Sequence, residues 1–186
     1  MKAKTDLAQF NNAWYEVGAS TLKQLLWYYT NVLFFNAYAF PFNSFKIVLL
    51  KLFGAKVGKG CVIKPKVNIK YPWKLTLGDY VWLGEQVWID NLAEVKIESH
   101  ACLSQGAMLL CGNHNYKKKS FDLMVGKIII EEGAWIGAQS VVCPGVSVAS
   151  HAVLAVGSVL TQDAKAYTVY QGNPARPIKE REISES

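Results

Sequence analysis

The amino-acid sequence predicts an all-β fold, a parallel β-helix wound from hexapeptide repeats. Three observations predict it. From Ile130 an aliphatic residue returns every six positions, at Ile136, Val142, Val148, Leu154 and Leu160. A small residue or Val stands four places after each opener, at Ala134, Ser140, Val146, Ala152 and Ser158. The same phase runs upstream through Val57, Ile63 and Ile69, then Leu77, Leu83 and Ile89, then Ile97, Leu103 and Leu109. Strand alternation has a period of about 2 and a helix one of about 3.6, so neither yields a strict six. Three hexads close one triangular coil, with the openers stacked inside and the small residue where the wall turns. Successive coils then pair as parallel strands about 4.8 Å apart.

The elements follow in order. Residues 1–54 form an N-terminal segment. Met1–Ala19 is polar with aromatic interruptions (Phe10, Trp14, Tyr15) and reads as irregular. Lys2 and Lys4 are followed by Asp6, Gln9, Asn11 and Asn12, which is not a secretory signal. Ser20-Thr21 caps a helix through Leu22, Leu25, Leu26, Tyr29, Val32 and Leu33, and Pro41 ends it. Ser44 opens a second helix with Phe45, Val48, Leu49 and Leu52 on one side and Lys46 and Lys51 as its cations; Gly54 stops it. The apolar stretch 22–53 reads as a cap over the open first coil, whose edge strands would otherwise invite aggregation. Peripheral membrane contact through the same residues is compatible with that role. A true span ranks well below both: Leu25–Phe42 is barely long enough and is interrupted by Thr30, Asn31 and Asn36.

Residues 55–163 carry the repeat. Tyr71-Pro72-Trp73 breaks its phase and reads as a corner or small outward loop. Asp90 follows an opener, so its side chain points out of the prism. Residues 111–127 form a long detour, and long loops in compact repeats are usually functional. Lys117–Lys119 within it reads as a solvated charge run. Residues 164–186 form an extension, with Tyr167–Tyr170 a short strand, 171–177 a turn-rich connector and 178–186 a short helix or frayed tail.

The composition fits one domain. The chain has 186 residues, 51% of them hydrophobic, enough for a core and too apolar for disorder. A formal charge of +6 suits an anionic substrate, a phosphate-bearing cofactor or an anionic surface. No recognition helix or basic, aromatic-studded sheet points to nucleic acid. Cys61, Cys102, Cys111 and Cys143 form no C-x-x-C pair and read as small buried thiols, as in a reducing cytoplasm.

Hexads, a histidine-bearing detour, then Trp135-Ile136-Gly137, Pro144-Gly145-Val146, Gly157-Ser158-Val159 and Gly172-Asn173-Pro174-Ala175 resemble the hexapeptide-repeat O-acetyltransferases of the galactoside and maltose type. The strings Phe53–Gly60, Tyr71–Leu75 and Cys111–Tyr116 extend the resemblance to the colanic-acid-biosynthesis acetyltransferases. The resemblance implies a left-handed β-helix and a homotrimer with active sites between prisms. It also implies acetyl-CoA as co-substrate without a metal, a sugar or exopolysaccharide precursor as acceptor, and a cytoplasmic setting, at the inner face of the membrane if the apolar segment docks there.

Acyl transfer to a sugar hydroxyl needs a base, and a positioned one contributes roughly 10²–10⁴ in rate. Of the three histidines, His100 and His151 sit at outward corners of ordinary hexads and read as surface residues. His114 sits where the repeat breaks and matches the family's catalytic histidine. By resemblance the backbone amide of Ala138 supplies the oxyanion donor. Asp90, Asn91 and Tyr116 fall on the acceptor side. Trp135, Ala138, Val156, Gly157, Ser158 and Thr161 flank the pantetheine arm, largely through their backbones. Arg176 and Lys179 approach the phosphorylated nucleotide end. Two other readings stand beside this one. A zinc enzyme of the carbonic-anhydrase kind needs three converging histidines. A trimeric scaffold would use residues 22–53 for docking alone.

Overall fold

The computed structural model describes residues 3–184. The extreme ends of the expected N-terminal segment and C-terminal extension, Met1-Lys2 and Glu185-Ser186, lie outside the described residues.

The hexads wind into a three-faced β-helix. The first face stacks Lys56–Val57, Leu75–Leu77, Val95–Ile97, Ile128–Ile130 and Ser147–Val148. The second stacks Val62–Ile63, Trp82–Leu83, Cys102–Leu103, Trp135–Ile136 and Val153–Leu154. The third stacks Asn68–Ile69, Trp88–Asp90, Met108–Leu110, Val141–Val142 and Val159–Leu160. All these pairings are parallel.

The register turns the openers into ladders. Ile63, Leu83, Leu103, Ile136 and Leu154 lie one above another on the second face. Ile69, Ile89, Leu109, Val142 and Leu160 do so on the third. All ten are buried, so each coil contributes its apolar area to one continuous core. The small fifth-place residues Ala134, Ser140 and Ala152 are buried with them.

One corner column explains the two repeat histidines. His100 (φ +61°) stacks on Tyr80, and His151 (φ +59°) stacks on Tyr167 with rings 4.8 Å apart. The coil between them has Gly133, where a Cβ would meet His151 Nε2 at 2.6 Å. The glycine leaves room for the neighbouring ring.

Helix α1 (Thr21–Thr30) starts at Ser20, whose side chain accepts from Lys23 N, and runs on through a wider turn at Asn31–Phe35. Helix α2 (Asn43–Leu52) ends before Gly54, at φ +100°. Together they cap the first coil. Trp27 Nε1 donates to Ile69 O, and the Asn43 amide donates to Cys61 O and accepts from Ile63 N. Edge groups that would template another strand are thereby satisfied. One cation is not where the helix pattern puts it. Lys46, read as one of the second helix's two cations, is fully buried, and its Nζ donates to Lys64 O at 3.3 Å. Burial pulls its ammonium below the usual lysine range.

The C-terminal residues also differ from expectation. Residues 175–180 form neither helix nor tail. Ala175–Glu180 pairs antiparallel with Thr168–Gly172, which continues the second face. The pairing tolerates Pro177 because the ladder shifts register there, opposite Tyr170.

Candidate active site

The detour is a hairpin. After Met108–Leu110 the chain pairs Gly112–His114 with Leu123–Val125, then rejoins the first face at Ile128. Asn113 Oδ1 accepts from the His114 amide at 2.7 Å, and Asn115 Oδ1 accepts from Lys117 N at 3.1 Å. Lys118 and Ser120 both bond Asp122, which holds that carboxyl below its usual range. The lysine run is therefore partly engaged: Lys118 pairs with Asp122, and Lys119 with Asp6 of the N-terminal segment.

His114 is held on several sides. Its Nδ1 lies 2.9 Å from Phe121 O, and its ring stacks on Phe121 at 4.5 Å and 9°. Phe10 closes from the N-terminal segment at 5.8 Å. A carbonyl only accepts, so Nδ1 carries the proton and Nε2 of the neutral ring keeps a lone pair.

A groove of ≈ 940 Å³ lies on the second face, under the terminal strand. Trp135, Ala138 and Val156 line it, with Lys179 at its side. The Trp135 indole is fixed by its Nε1 bond to Ser104 Oγ at 2.8 Å. At Gly137 the coils approach so closely that a Cβ would lie 2.6 Å from Leu154 O. The Ala138 carbonyl accepts from Gly157 N, while its N–H donates to no group among the described residues. Gly157, Thr161 and Arg176 are exposed but lie outside the lining. Ser158 does not fit its expected place. Its side chain is buried, its Oγ accepts from Gly172 N and its amide donates to Ala155 O.

Arg181 is a lining residue that sequence reasoning missed. Its Nη1 donates to Gly133 O and His151 O, each at 3.0 Å, so it fastens the extension to the corner column. Nothing in the run Lys179-Glu180-Arg181-Glu182 distinguishes it from a solvated tail.

A second groove, ≈ 610 Å³, runs between α1 and the third face. Asp90 lines it and pairs with Lys70 at 2.9 Å. Trp88 and Asn31 line it too, and sequence reasoning named neither for binding. Asn31 Oδ1 is buried without a donor, and Asp90 Oδ1 has no donor in hydrogen-bonding geometry despite the nearby ammonium. Asp90 sits at the root of the hairpin, since a Cβ on Gly112 would lie 3.8 Å from Asp90 Oδ2. Side chains two apart on a strand share a side, so His114 faces the same way as that missing Cβ, about 7 Å along.

Asn91 is no acceptor contact. Its side chain is fully buried, its Oδ1 accepts from Tyr71 N at 2.9 Å and its Nδ2 donates to Tyr71 O at 2.6 Å. It ties one phase slip to the slip in the coil before. Tyr116 stands 76% exposed beyond the strand end of the hairpin. Cys111, at the hairpin base, is buried, which pushes its thiol up to about 11 and leaves it protonated at neutral pH. The three histidines occupy separate places, two on the corner column and one on the hairpin.

Within one chain His114 and the 940 Å³ groove stay apart. The hairpin springs from the edge where the third face meets the first, whereas the groove lies on the second.

Solved structures carry this architecture. A hexapeptide-repeat-containing acetyltransferase of Vibrio cholerae superposes with a TM-score of 0.79 at 18% identity, covering 89% of this chain and 96% of that one. A galactoside acetyltransferase solved in complex with coenzyme A gives 0.76 at 24% identity, covering 86% and 80%. The fold is thus that of the hexapeptide-repeat acetyltransferases. In sequence, the Escherichia coli protein named "Putative colanic acid biosynthesis acetyltransferase WcaF" is 37% identical over 164 residues, 88% of this chain and 90% of that protein. The chain belongs to this colanic acid biosynthesis acetyltransferase family. No protein-family model matches it.

Proposed function

We propose that the protein moves an acetyl group from acetyl-CoA to a hydroxyl of a sugar or exopolysaccharide precursor, in sites formed between the subunits of a homotrimer. The observation that carries this reading is the His114 ring, fixed by Phe121 O in the tautomer that leaves Nε2 basic. His114 Nε2 takes the proton of the acceptor hydroxyl as its oxygen attacks the thioester carbon. The unpaired Ala138 amide, from the neighbouring subunit, receives the negative charge that develops on the carbonyl oxygen. On collapse the C–S bond breaks, and the imidazolium returns its proton to the departing thiolate. The separation of hairpin and groove in one chain supports a site between copies.

The groove on the second face suits the cofactor. Trp135, Ala138 and Val156 would flank the pantetheine arm, with Lys179 and Arg176 offering charge to the phosphates. The relatives support acetyl-CoA, since the structural neighbour named for galactoside acetyl transfer was solved with coenzyme A. The groove beneath α1 suits the acceptor. Trp88 offers an apolar ring edge, and Asp90 and Asn31 supply acceptors that sugar hydroxyls would satisfy.

Thiol release from acetyl-CoA, measured against nucleotide sugars and lipid-linked oligosaccharides, tests the reading. Turnover should depend on a saccharide acceptor, and acetyl-CoA should raise the melting temperature. A chain that neither binds acetyl-CoA nor releases thiol with any saccharide is the scaffold instead.

A further inference from the structure

The two cap helices are amphipathic in the wrong sense for a finished surface. α1 buries Trp27, and beyond it Asn31 and Phe35 against the coil, yet shows Leu22, Leu26, Tyr29 and Leu33 to solvent at helical spacing, while Leu25 and Val32 face the groove over the third face. α2 buries a lysine, Lys46, and exposes Phe45, Val48 and Leu52, the last at 76%. A helix apolar on both sides calls for a cover on each, and a patch of this extent marks an interaction surface.

Charge selects the cover. Between Val17 and Gly78 the chain has nine lysines and neither Asp nor Glu. Lys46 is buried, Lys74 donates to Tyr15 Oη and to the Glu16 and Leu92 carbonyls, and Lys70 pairs with Asp90; the other six have no ion-pair partner among the described residues. A second copy laid against this surface would bring the same positive charge, so self-association through it is opposed. An anionic surface is matched on both counts, apolar contact and basic rim, the two signals that hold a protein to a bilayer. Neither helix is long and apolar enough to cross a membrane, so the contact is with the surface.

We propose that the cap docks flat on an anionic phospholipid bilayer, with the outer stripes of α1 and α2 in the headgroup boundary and the exposed, unpaired lysines of this acid-free stretch over the phosphates. The proposal does not depend on the acetyl-transfer reading.

Co-sedimentation of the full chain with vesicles tests it. The wild type should pellet with phosphatidylglycerol-rich vesicles at least about tenfold more tightly than with pure phosphatidylcholine, and high salt should erase the preference. L26E/L33E and V48E/L52E alter exposed side chains only, and each should weaken binding about tenfold or more. Light scattering should show their oligomeric mass unchanged, and thiol release with a soluble acceptor should persist. Wild type remaining in the supernatant with both vesicle types overturns the proposal, whatever the variants do. A variant that lowers the oligomeric mass while vesicle binding stays intact overturns it too, and assigns the stripes to a second copy.

Discussion

The repeat breaks phase in a short way and in a long way, and the two breaks end differently. The short slips at Tyr71-Pro72-Trp73 and at Asn91 close on themselves, because the Asn91 amide answers both backbone groups of Tyr71. The long detour closes less completely. Phe121 O engages Nδ1 of His114, and Nε2 keeps an unused lone pair. A break in period is therefore no mark of chemistry by itself. What matters is the hydrogen-bonding capacity left over once the backbone is satisfied.

Substitutions at the two breaks should separate turnover from stability. His114→Ala should lower kcat by on the order of 10²-fold or more, while acetyl-CoA binding and the melting temperature stay close to wild type. A variant that kept full turnover would remove His114 from the mechanism. Asn91→Ala should do the reverse. The Tyr71 carbonyl would keep the Lys74 amide, but the Tyr71 amide would lose its acceptor, which costs on the order of 1–3 kcal/mol, read by denaturant unfolding, with kcat little changed in the surviving folded fraction. Loss of turnover without loss of stability would restore Asn91 to the acceptor site.

Smaller effects sharpen the assignment of the cofactor groove. Arg176→Ala should raise KM for acetyl-CoA roughly tenfold and leave KM for its dephosphorylated analogue unchanged. Equal KM changes for both would place the guanidinium elsewhere. The smallest effect concerns Lys46. Burial depresses its ammonium, so the folded state binds fewer protons than the unfolded one. Stability from this group then rises as pH climbs through its lowered pKa toward the ordinary lysine value. Lys46→Met should flatten that rise, seen as a Tm that changes less across mildly alkaline pH than in the wild type.

Much of the wall was legible because one rule repeats. A residue that opens a hexad is buried in the coils above the half-buried Val57, and Ile63, Leu103 and Leu154 obey the rule alike. The companion rule, a small residue four places after each opener, puts Ser158 inside with Ser140 and Ala152. The departures were harder. Asn91 and Tyr71 are neighbours only once two coils are stacked. Lys46 looks like a surface cation until Lys64 O is brought above it. The terminal strand was hidden by Pro177, which argues against a strand unless the ladder shifts there. Arg181 carries its meaning only through Gly133 and His151, far away in the chain.

The central claim is that one subunit's hairpin serves another subunit's groove. Mixing two folded but inactive variants, His114→Ala and the groove-filling Ala138→Trp, and reassembling them into verified mixed oligomers tests it most directly. At equal proportions about a quarter of the sites should pair an intact hairpin with an intact groove, and activity should return to that extent. Mixed oligomers that stay inactive would contradict the account.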